Sequence, residues 1–434
     1  MTFDAVIPEL AKLMREKRAE IEPLLPVVIN RDLNGRIRFV VSEAATESAG
    51  AFSALKRVAE EVHKDLGPHS FPVPQAILLE PDIEAMIGSE TTYVIPDLER
   101  VYVIDRMATE GSWSSITSQT EGAPRIVFFA VKGGVGRSTA LAATAWTLAE
   151  AGKRVLVVDL DLESPGISTS MLPMDRRPAY GVVDWLVEDL VDNGEAVVQS
   201  MTSSSPLSRN GEILIVPSHG RDPGEYISKL GRVWMPKVDS AGIRERWSGR
   251  LNRLLDSLER RWLPDVILVD SRSGIDEVSS VCLTEISASM ILLFAVDGDQ
   301  TWSGYRILFE HWRRTNIVTD IRDRLQVVGA VIPEVRAEEY FASLRENSWD
   351  LFSRELYDEV PAGAIPAEGE EWSFDEDDSS APHFPWAIRW HRGFAALQSL
   401  YGRLERIDPV EIQSIFGSMT ENIASFLEGA RGRL

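Results

Sequence analysis

A glycine-rich segment that joins an apolar run to a helical run is the feature that most restricts the folds open to this chain. The run IVFFAV (126–131) is typical of a buried strand, and LAATAWTLAEAG (141–152) is typical of a helix. The segment that links them consists of Val131, Lys132, Gly133, Gly134, Val135, Gly136, Arg137, Ser138 and Thr139. A strand, a glycine-rich turn and a helix N-terminus in this order form an anion site, because backbone N–H groups and the helix dipole converge there. The pattern predicts a phosphate-binding loop in which Ser138 stands where a hydroxyl coordinates Mg²⁺.

The residues that follow Arg125 alternate between strand-like and helix-like runs. Strands are predicted at 126–131, 155–159, 213–216, 266–270, 290–296 and 326–332. Helices are predicted between them, including one near 139–151 and a long one near 244–262. This rhythm predicts an α/β fold with a mostly parallel sheet that is covered by helices on both faces.

The first 110 residues predict a separate, small α+β domain. A helix near 3–20 precedes two β-rich runs that flank Asn34-Gly35, a dipeptide typical of tight hairpin turns. The rest of the domain is predicted as a helix near 50–66 and strands near 76–79, 92–95 and 100–105. The segment GSWSSITSQTEGAP (111–124) is rich in turn formers and is predicted to be a linker.

The charge of the chain bears on the partners that it can bind. With 45 Lys and Arg against 67 Asp and Glu, the formal net charge is -22, and so acidic a protein is on average repelled by nucleic acid and anionic lipid. Residues 334–378 hold 15 acids and 3 bases, a local charge of -12. The end of this window, EGEEWSFDEDDSS (368–380), has no regular period and is expected to be an exposed loop or a mobile lid. We therefore expect a protein partner rather than DNA or a membrane.

Residues 371–434 are expected to form this acidic loop and a C-terminal helical region. The last helix, predicted near 410–429, has an apolar stripe at 412, 415, 416, 419, 423, 426 and 427. The polar face opposite the stripe lacks the run of basic residues that a membrane-surface helix carries. We therefore expect the helix to dock on its own domain.

Cys282 is the single cysteine among 434 residues. One cysteine excludes a disulfide framework and a multi-cysteine zinc site, and it fits a reducing compartment. The longest apolar runs are strand-sized, far short of the ~20 residues that cross a bilayer. Charged residues also interrupt what would be the apolar part of a signal peptide. A cytoplasmic location is therefore expected.

The phosphate loop resembles that of the deviant Walker A ATPases of the ParA/MinD group, which reads K-G-G-x-G-K-[ST]. Two further blocks at the family's spacing support the resemblance. VLVVDLDLESPGIS (155–168) contains the D-x-D pair Asp159 and Asp161, and DVILVDSRSGIDE (265–277) carries Asp270 at the end of an apolar strand. The resemblance covers about residues 125–370, and it implies a P-loop NTPase domain that binds ATP and Mg²⁺.

The resemblance also implies roles for these carboxylates. Asp161, the second residue of the D-x-D segment that forms switch I, would hold the attacking water, and Asp159 would lie close to Mg²⁺. Asp270 occupies the Walker B position, where a carboxylate meets Mg²⁺ through water. Residues 271–274 resemble switch II, although family members often read D-x-P-P from the Walker B aspartate onward. Phosphoryl transfer needs such a metal shell and positive charge more than it needs covalent chemistry.

The family has two loop lysines, of which this chain keeps one. Lys132 matches the signature lysine, which in the family reaches the phosphates of the partner subunit in an ATP-bound dimer. Arg137 stands where the second lysine is expected, in a chain with only eight lysines and none after Lys237. Because Arg is bulkier and forked, this exchange is not conservative at a phosphate site. Three outcomes are open: slow hydrolysis, ATP binding without hydrolysis, or an Arg137 that points away while Lys132 supplies the charge.

The residues that would contact the base are the least defined part of the predicted site. The family often holds adenine between a segment after the sixth strand and a later Ile-Pro loop, and the nearest matches here are Pro333 and Pro366. The Asn-Lys-x-Asp signature of guanine recognition does not occur in the sequence. ATP is therefore expected rather than GTP.

We interpret the sequence as that of a Mg-ATP-dependent dimerisation switch with slow ATP hydrolysis, which forms a homodimer and acts on a protein partner. The partner would bind the N-terminal domain or the acidic C-terminal region. Arg137 and the altered switch II favour a second hypothesis, a non-hydrolysing nucleotide-binding scaffold or sensor in a multi-protein system. DNA partitioning of the ParA kind is a third hypothesis, and the charge of the chain argues against it.

Overall fold

The computed structural model describes residues 2–89, 92–107, 111, 113–239, 242–359, 372–394 and 400–431. The chain divides into two compact units. The N-terminal unit consists of Met1–Ser115 and His311–Ile317, and the second unit consists of Ile116–Glu310 and Val318–Leu434.

The N-terminal unit contains one five-stranded sheet. Its strands are β1 (Val27–Arg31), β2 (Ile37–Ser42), β3 (Ile77–Glu80), β4 (Thr92–Val94) and β5 (Val101–Asp105), in the order β3-β2-β1-β5-β4. Its helices are α1 (Phe3–Glu16), α2 (Arg18–Ile21), α3 (Ala49–Leu66) and α4 (Ile83–Ser89). Inward-facing residues of α1, α3 and the sheet, such as Leu10, Val62 and Phe39, share one buried core. The prediction of an α+β arrangement is therefore confirmed for this unit.

The predicted hairpin at Asn34-Gly35 joins β1 to β2. The two strands pair antiparallel, with Arg31 opposite Ile37. Gly35 has φ +81°, a left-handed conformation that glycine adopts without strain, and its N–H donates to the Asp32 carbonyl at 2.9 Å. The turn at Asn34-Gly35 therefore favours the antiparallel pairing of β1 with β2.

The second unit is built on an eight-stranded sheet. Its strands are β6 (Arg125–Ala130), β7 (Arg154–Asp159), β8 (Ser203–Ser204), β9 (Glu212–Val216), β12 (Val266–Ser273), β13 (Met290–Ala295), β14 (Leu325–Ile332) and β15 (Trp386–Arg389), and a separate two-stranded pair is formed by β10 (Lys237–Val238) and β11 (Arg244–Glu245). The order in the sheet is β15-β14-β13-β6-β12-β7-β9-β8, and each neighbouring pair except β8 and β9 is parallel.

Helices lie between these strands and after the last of them. They are α5 (Arg137–Glu150), α6 (Ile167–Met171), α7 (Val182–Asp189), α8 (Gly194–Val198), α9 (Tyr226–Leu230), α10 (Trp247–Trp262), α11 (Glu277–Thr284), α12 (Asp299–Arg314), α13 (Val318–Ile321), α14 (Ala337–Glu355), α15 (Leu400–Leu404) and α16 (Pro409–Arg431). The central strands are buried along their length, as expected for parallel strands between two helical layers. The predicted fold class, a mostly parallel P-loop sheet preceded by a small α+β unit, is confirmed.

The C-terminal region shares the sheet and the core of the second unit. Trp386–Arg389 pairs with β14 as the edge strand, and α16 packs against α5 and β15. The buried residues of α16 that belong to the hydrophobic core all lie on the predicted stripe: Ile412, Ile415, Phe416, Met419, Ile423 and Leu427. The stripe is therefore covered by its own domain, and the division that we predicted at residue 371 does not separate two cores.

Residues 372–380, the described part of the predicted acidic loop, form no helix or strand and are exposed or half-buried, but they also make specific contacts. The Trp372 ring lies 5.2 Å from the Tyr357 ring and 5.3 Å from the Phe374 ring, measured between centroids. The Arg322 guanidinium lies 4.7 Å from the Trp372 ring centroid. These aromatic contacts hold the segment on the domain despite its charge. Residues 360–371, which include most of the remaining predicted loop, lie outside the described residues.

Candidate functional site

The glycine-rich segment lies at the carboxyl edge of the sheet, between β6 and α5. Gly134 and Gly136 have φ values of +77° and +82°, and a Cβ on either would meet no atom within 4 Å. Because both conformations are left-handed, glycine is required by the backbone and not by crowding. The helix begins directly after Gly136, so its first N–H groups point towards the loop. The loop therefore has the form that an anion site needs.

Parallel strand order brings the predicted carboxylates to this same edge. β12 lies between β6 and β7, and Asp270 is in register with Asp159 on the neighbouring strand. Both side chains are almost completely buried. The carboxyl ends of three adjacent parallel strands thus supply the loop and the two aspartates, as is general for ligand sites in open α/β sheets.

Ser138 connects the loop to the carboxylates. Its Oγ donates to Asp270 Oδ2 at 2.8 Å, which leaves the lone pairs of the hydroxyl oxygen available to a metal ion. Asp159, Asp270 and Ser138 present only oxygen ligands, the type that Mg²⁺ prefers. Burial and the neighbouring Asp270 raise the pKa of Asp159 to about 7, so the site favours an added positive charge. The residues present therefore fit Mg²⁺.

Asp161 lies beside this group on the segment that follows β7. Its N–H donates to Asp159 Oδ1 at 3.2 Å, and its own Oδ1 accepts from the N–H of Ser164 at 3.2 Å. Burial raises the pKa of Asp161, while the nearby Arg137 charge acts in the opposite direction. The predicted switch I carboxylate is thus held by the backbone on one side and by a cation on the other.

The side chain of Arg137 is directed at the carboxylates. Nε donates to Asp270 Oδ1 at 2.8 Å, Nη2 donates to Asp161 Oδ2 at 3.2 Å, and Nη1 donates to Ser273 Oγ at 3.2 Å. Only 7% of the residue's surface is exposed. Burial opposes the charge, but Asp270 and Asp161 outweigh it and raise the pKa of Arg137. The guanidinium of Arg137 therefore lies among the carboxylates and Ser273 in this structure, and the three outcomes for this residue stay predictions.

Lys132 differs from Arg137 in its exposure and in its contacts. It is exposed at the start of the loop, and its ammonium group has no hydrogen bond or ion pair with any residue that the structure describes. Val135 is buried beneath the loop, and Thr139 is half-buried in the first turn of α5. The loop therefore carries one available cation, Lys132, and one committed cation, Arg137.

Sequence reasoning missed residues that surround the predicted group. Ser273 contacts Arg137, and Ser168 Oγ donates to Asp159 Oδ2 at 3.4 Å. Arg272 pairs with Glu163 at 2.7 Å, which joins the end of β12 to the segment after β7. The departure of residues 271–274 from D-x-P-P was the available signal, since Arg272 and Ser273 belong to it.

Other predicted residues lie away from this group or cannot be placed. Pro333 follows β14, two strands from β6 in the sheet, and Pro366 lies outside the described residues. Cys282 is buried in α11, where burial raises the pKa of its thiol to about 12. Within the described ranges, no group of three or more His, Cys, Asp or Glu side chains has a metal-binding arrangement. A search of the same residues also found no helix with the length and apolar character of a membrane span.

Several solved structures are similar to this chain at low sequence identity. The chain resembles solved structures of pNOB8 ParA bound to nonspecific DNA (17% identity, 72% of this chain and 99% of that chain, TM-score 0.43) and of the MinD cell division protein of Aquifex aeolicus (17%, 70% and 98%, TM-score 0.38). It also resembles MinD from Pyrococcus horikoshii OT3 complexed with Mg-ADP (18%, 69% and 96%, TM-score 0.40). No protein of curated function matches the sequence significantly.

A family model gives the stronger result. The CobQ/CobB/MinD/ParA nucleotide binding domain matches residues 126–367, which is more than half of the 434-residue chain. The matched region begins in β6 and includes the glycine-rich loop, the D-x-D segment and Asp270. The chain therefore belongs to the CobQ/CobB/MinD/ParA nucleotide-binding domain family.

Proposed function

We propose that the protein is a Mg-ATP-binding, nucleotide-dependent dimerisation switch that hydrolyses ATP slowly and acts on a protein partner. The observation that carries the proposal is the convergence of the glycine-rich loop, Ser138 and the aspartates at one edge of the sheet. The N-terminus of α5 lies at the same edge, and it favours negative charge. A triphosphate and its metal ion are the ligands that such a combination recognises best.

Each residue has a role in this proposal. The backbone of 133–139 would hold the phosphates, and Ser138, Asp159 and Asp270 would hold Mg²⁺. Mg²⁺ held by these three residues would supply positive charge against the negative charge that develops during phosphoryl transfer. Lys132 would supply further positive charge, and Asp161 would orient a water molecule. The assignments agree with the burial of the two metal-site aspartates and with the exposure of Lys132.

Dimerisation would depend on Lys132. An exposed ammonium that has no partner among the described residues can contact the phosphates of a second copy, as the family resemblance implies. The test is the molar mass of the protein in solution, measured by light scattering with Mg-ATP, with Mg-ADP and without nucleotide. We expect a dimer with Mg-ATP in the wild type and in the control Lys153→Ala, and a monomer in Lys132→Ala. No measurable affinity for Mg-ATP, or unchanged ATP-dependent dimerisation of Lys132→Ala, would refute the proposal.

A second candidate function, a non-hydrolysing nucleotide-binding scaffold or sensor, is favoured by one observation. Each carboxylate oxygen of Asp161 already accepts one hydrogen bond, from Ser164 or from Arg137, so part of its capacity to orient water is taken up. Phosphate release distinguishes the candidates when wild type is compared with Arg137→Lys and Asp161→Ala. Turnover in the wild type that Asp161→Ala abolishes supports the enzyme. No turnover in the wild type, despite ATP binding, supports the scaffold.

The proposed partner is a protein, bound through the N-terminal unit or the acidic C-terminal region. The charge of -22 supports a protein over nucleic acid, and the single cysteine supports a cytoplasmic setting. A pull-down with Mg-ATP, compared with one in EDTA, would identify a partner that depends on the nucleotide. ATP-dependent DNA binding that weakens steeply with salt would instead favour DNA partitioning.

A further inference from the structure

We infer that Arg137 is a latch, which closes the phosphate-binding site by joining α5 to Asp161, Asp270 and Ser273, and that phosphate must displace it. The inference rests on the proposed nucleotide binding and adds a mechanism that regulates it. In this Arg137 latch, one side chain of the loop contacts both segments that flank the site. Nucleotide binding would therefore release the segment after β7 and the end of β12 together.

The latch depends on the shape of the arginine side chain. Three different nitrogen atoms of Arg137 donate to three different residues, two at the end of β12 and one in the segment after β7. A guanidinium presents its donors in a rigid planar fork, whereas a lysine has one nitrogen atom on a flexible chain. Lysine at this position would not reach all three acceptors at once. Arginine in the place of the family's second loop lysine therefore joins α5 to all three residues.

Two departures from the family pattern contact each other in the latch. Ser273 stands where family members often have the second proline of D-x-P-P, and proline has no side-chain acceptor for Arg137 Nη1. The neighbouring position carries Arg272, which pairs with Glu163 at 2.7 Å and with Asp276 at 3.1 Å. The segment after β7 and the end of β12 are thus joined twice, by Arg137 and by the pair of Arg272 and Glu163.

The carboxylates and a phosphate would compete for the Arg137 guanidinium. A guanidinium that is only 7% exposed must have anionic partners, and the carboxylates of Asp161 and Asp270 provide them. Phosphate oxygens are equally good acceptors for the same fork. If Arg137 turns to a phosphate, the carboxylates lose their cation, and a metal ion can replace it. Displacement of the latch should therefore be easier with Mg²⁺ than without it.

The first test weakens the latch and leaves Arg137 in place. Ser273→Ala removes one acceptor of the fork, and ATP affinity is measured by calorimetry in Mg²⁺ and in EDTA. We expect ATP to bind about two- to tenfold more tightly than to wild type, the range that one hydrogen bond covers. The matched control is Ser303→Ala, whose Oγ donates to Gln300 in α12, and its affinity should equal that of wild type. Unchanged or weaker ATP binding by Ser273→Ala would overturn the latch.

The second test needs no nucleotide. Amide hydrogen exchange of residues 161–166 and 271–276 is compared in wild type, Ser273→Ala and Arg137→Lys, with Arg154→Lys as the surface control. We expect faster exchange in both segments for the two latch variants only, because opening of one segment then no longer requires breaking the latch. Equal exchange in all four proteins would overturn the inference. If ATP binds no variant, the proposed function fails, and the exchange data still decide whether the latch exists.

Discussion

Arg137 donates from Nε to Asp270 Oδ1 at 2.8 Å, and the residue beside it, Ser138, donates to the other oxygen of the same carboxylate. One aspartate on β12 thus receives both side chains from the first turn of α5. This relationship ties the phosphate-binding loop to the centre of the sheet, and the stability of the site should depend on it.

Removal of the Arg137 charge should destabilise the second unit. Arg137→Met leaves Asp159, Asp161 and Asp270 without their buried cation. We expect its free energy of unfolding in EDTA to be about 3 kcal/mol lower than that of wild type. The measurement is urea unfolding followed by tryptophan fluorescence. Arg154→Met, which removes an exposed pair with Glu212, should change the free energy of unfolding by less than about 1 kcal/mol. Equal effects of the two substitutions would contradict this account.

The left-handed conformation of Gly136 should make it irreplaceable. Gly136→Ala places a Cβ on a residue with φ +82°, and we expect a loss of about 1–2 kcal/mol in unfolding free energy. The strained loop should also bind ATP more weakly. Gly429→Ala in α16 is the matched control, because a Cβ there meets no atom within 4 Å and φ is not left-handed. That change should be neutral or stabilise by up to about 1 kcal/mol. A neutral Gly136→Ala would show that the loop relaxes.

The docking of α16 should contribute to the stability of the second unit. Ile423 is fully buried in the core that α16 shares with α5. Ile423→Ala should therefore lower the free energy of unfolding by about 2–5 kcal/mol. Val410 is 73% exposed on the same helix, so Val410→Ala should cost less than about 0.5 kcal/mol. Thermal and urea unfolding measure both. If both variants unfold like wild type, α16 does not pack as described.

Stability at low pH should depend on Asp189, at the end of α7. Burial would raise the pKa of Asp189, but hydrogen bonds and charges from Arg253 and Arg250 lower it to about 2. An aspartate in the unfolded chain has a pKa of about 3.9, so its stabilisation is complete above that pH and is lost as the pH falls towards 2. The contribution is at most about 2.6 kcal/mol.

Asp189→Asn tests this dependence. We expect a lower unfolding free energy at pH 7, because the buried Arg250 loses its carboxylate, and a smaller decrease between pH 5 and pH 3 than in wild type. Glu245→Gln, which removes a half-exposed partner of Arg253, serves as the control. A pH dependence of Asp189→Asn identical to that of wild type would contradict the assignment.

Much of the fold could be predicted from short runs of contiguous residues. The hairpin at Asn34-Gly35, the strand before the loop and the apolar stripe of α16 were predicted because turn chemistry and hydrophobic period are properties of neighbouring positions. The acidic window shows the limit of such reasoning. Its composition predicted an exposed loop or a mobile lid, but not that Trp372 packs against Tyr357, a contact that depends on how α14 and the returning chain meet.

The sequence by itself determined the chemistry available at the site: the glycines that permit a left-handed loop, the helix that begins behind them, and the aspartates at strand ends. Tertiary structure decided how that chemistry is arranged. Asp161 and Asp270 lie 24 and 133 positions after Arg137, and they meet it because parallel register places the ends of β7 and β12 beside the loop. The local sequence does not determine the direction of an arginine side chain, because that direction depends on acceptors that distant segments bring together. The fold therefore directs Arg137 into the carboxylates and leaves Lys132 exposed, a difference that the two positions in the loop do not reveal.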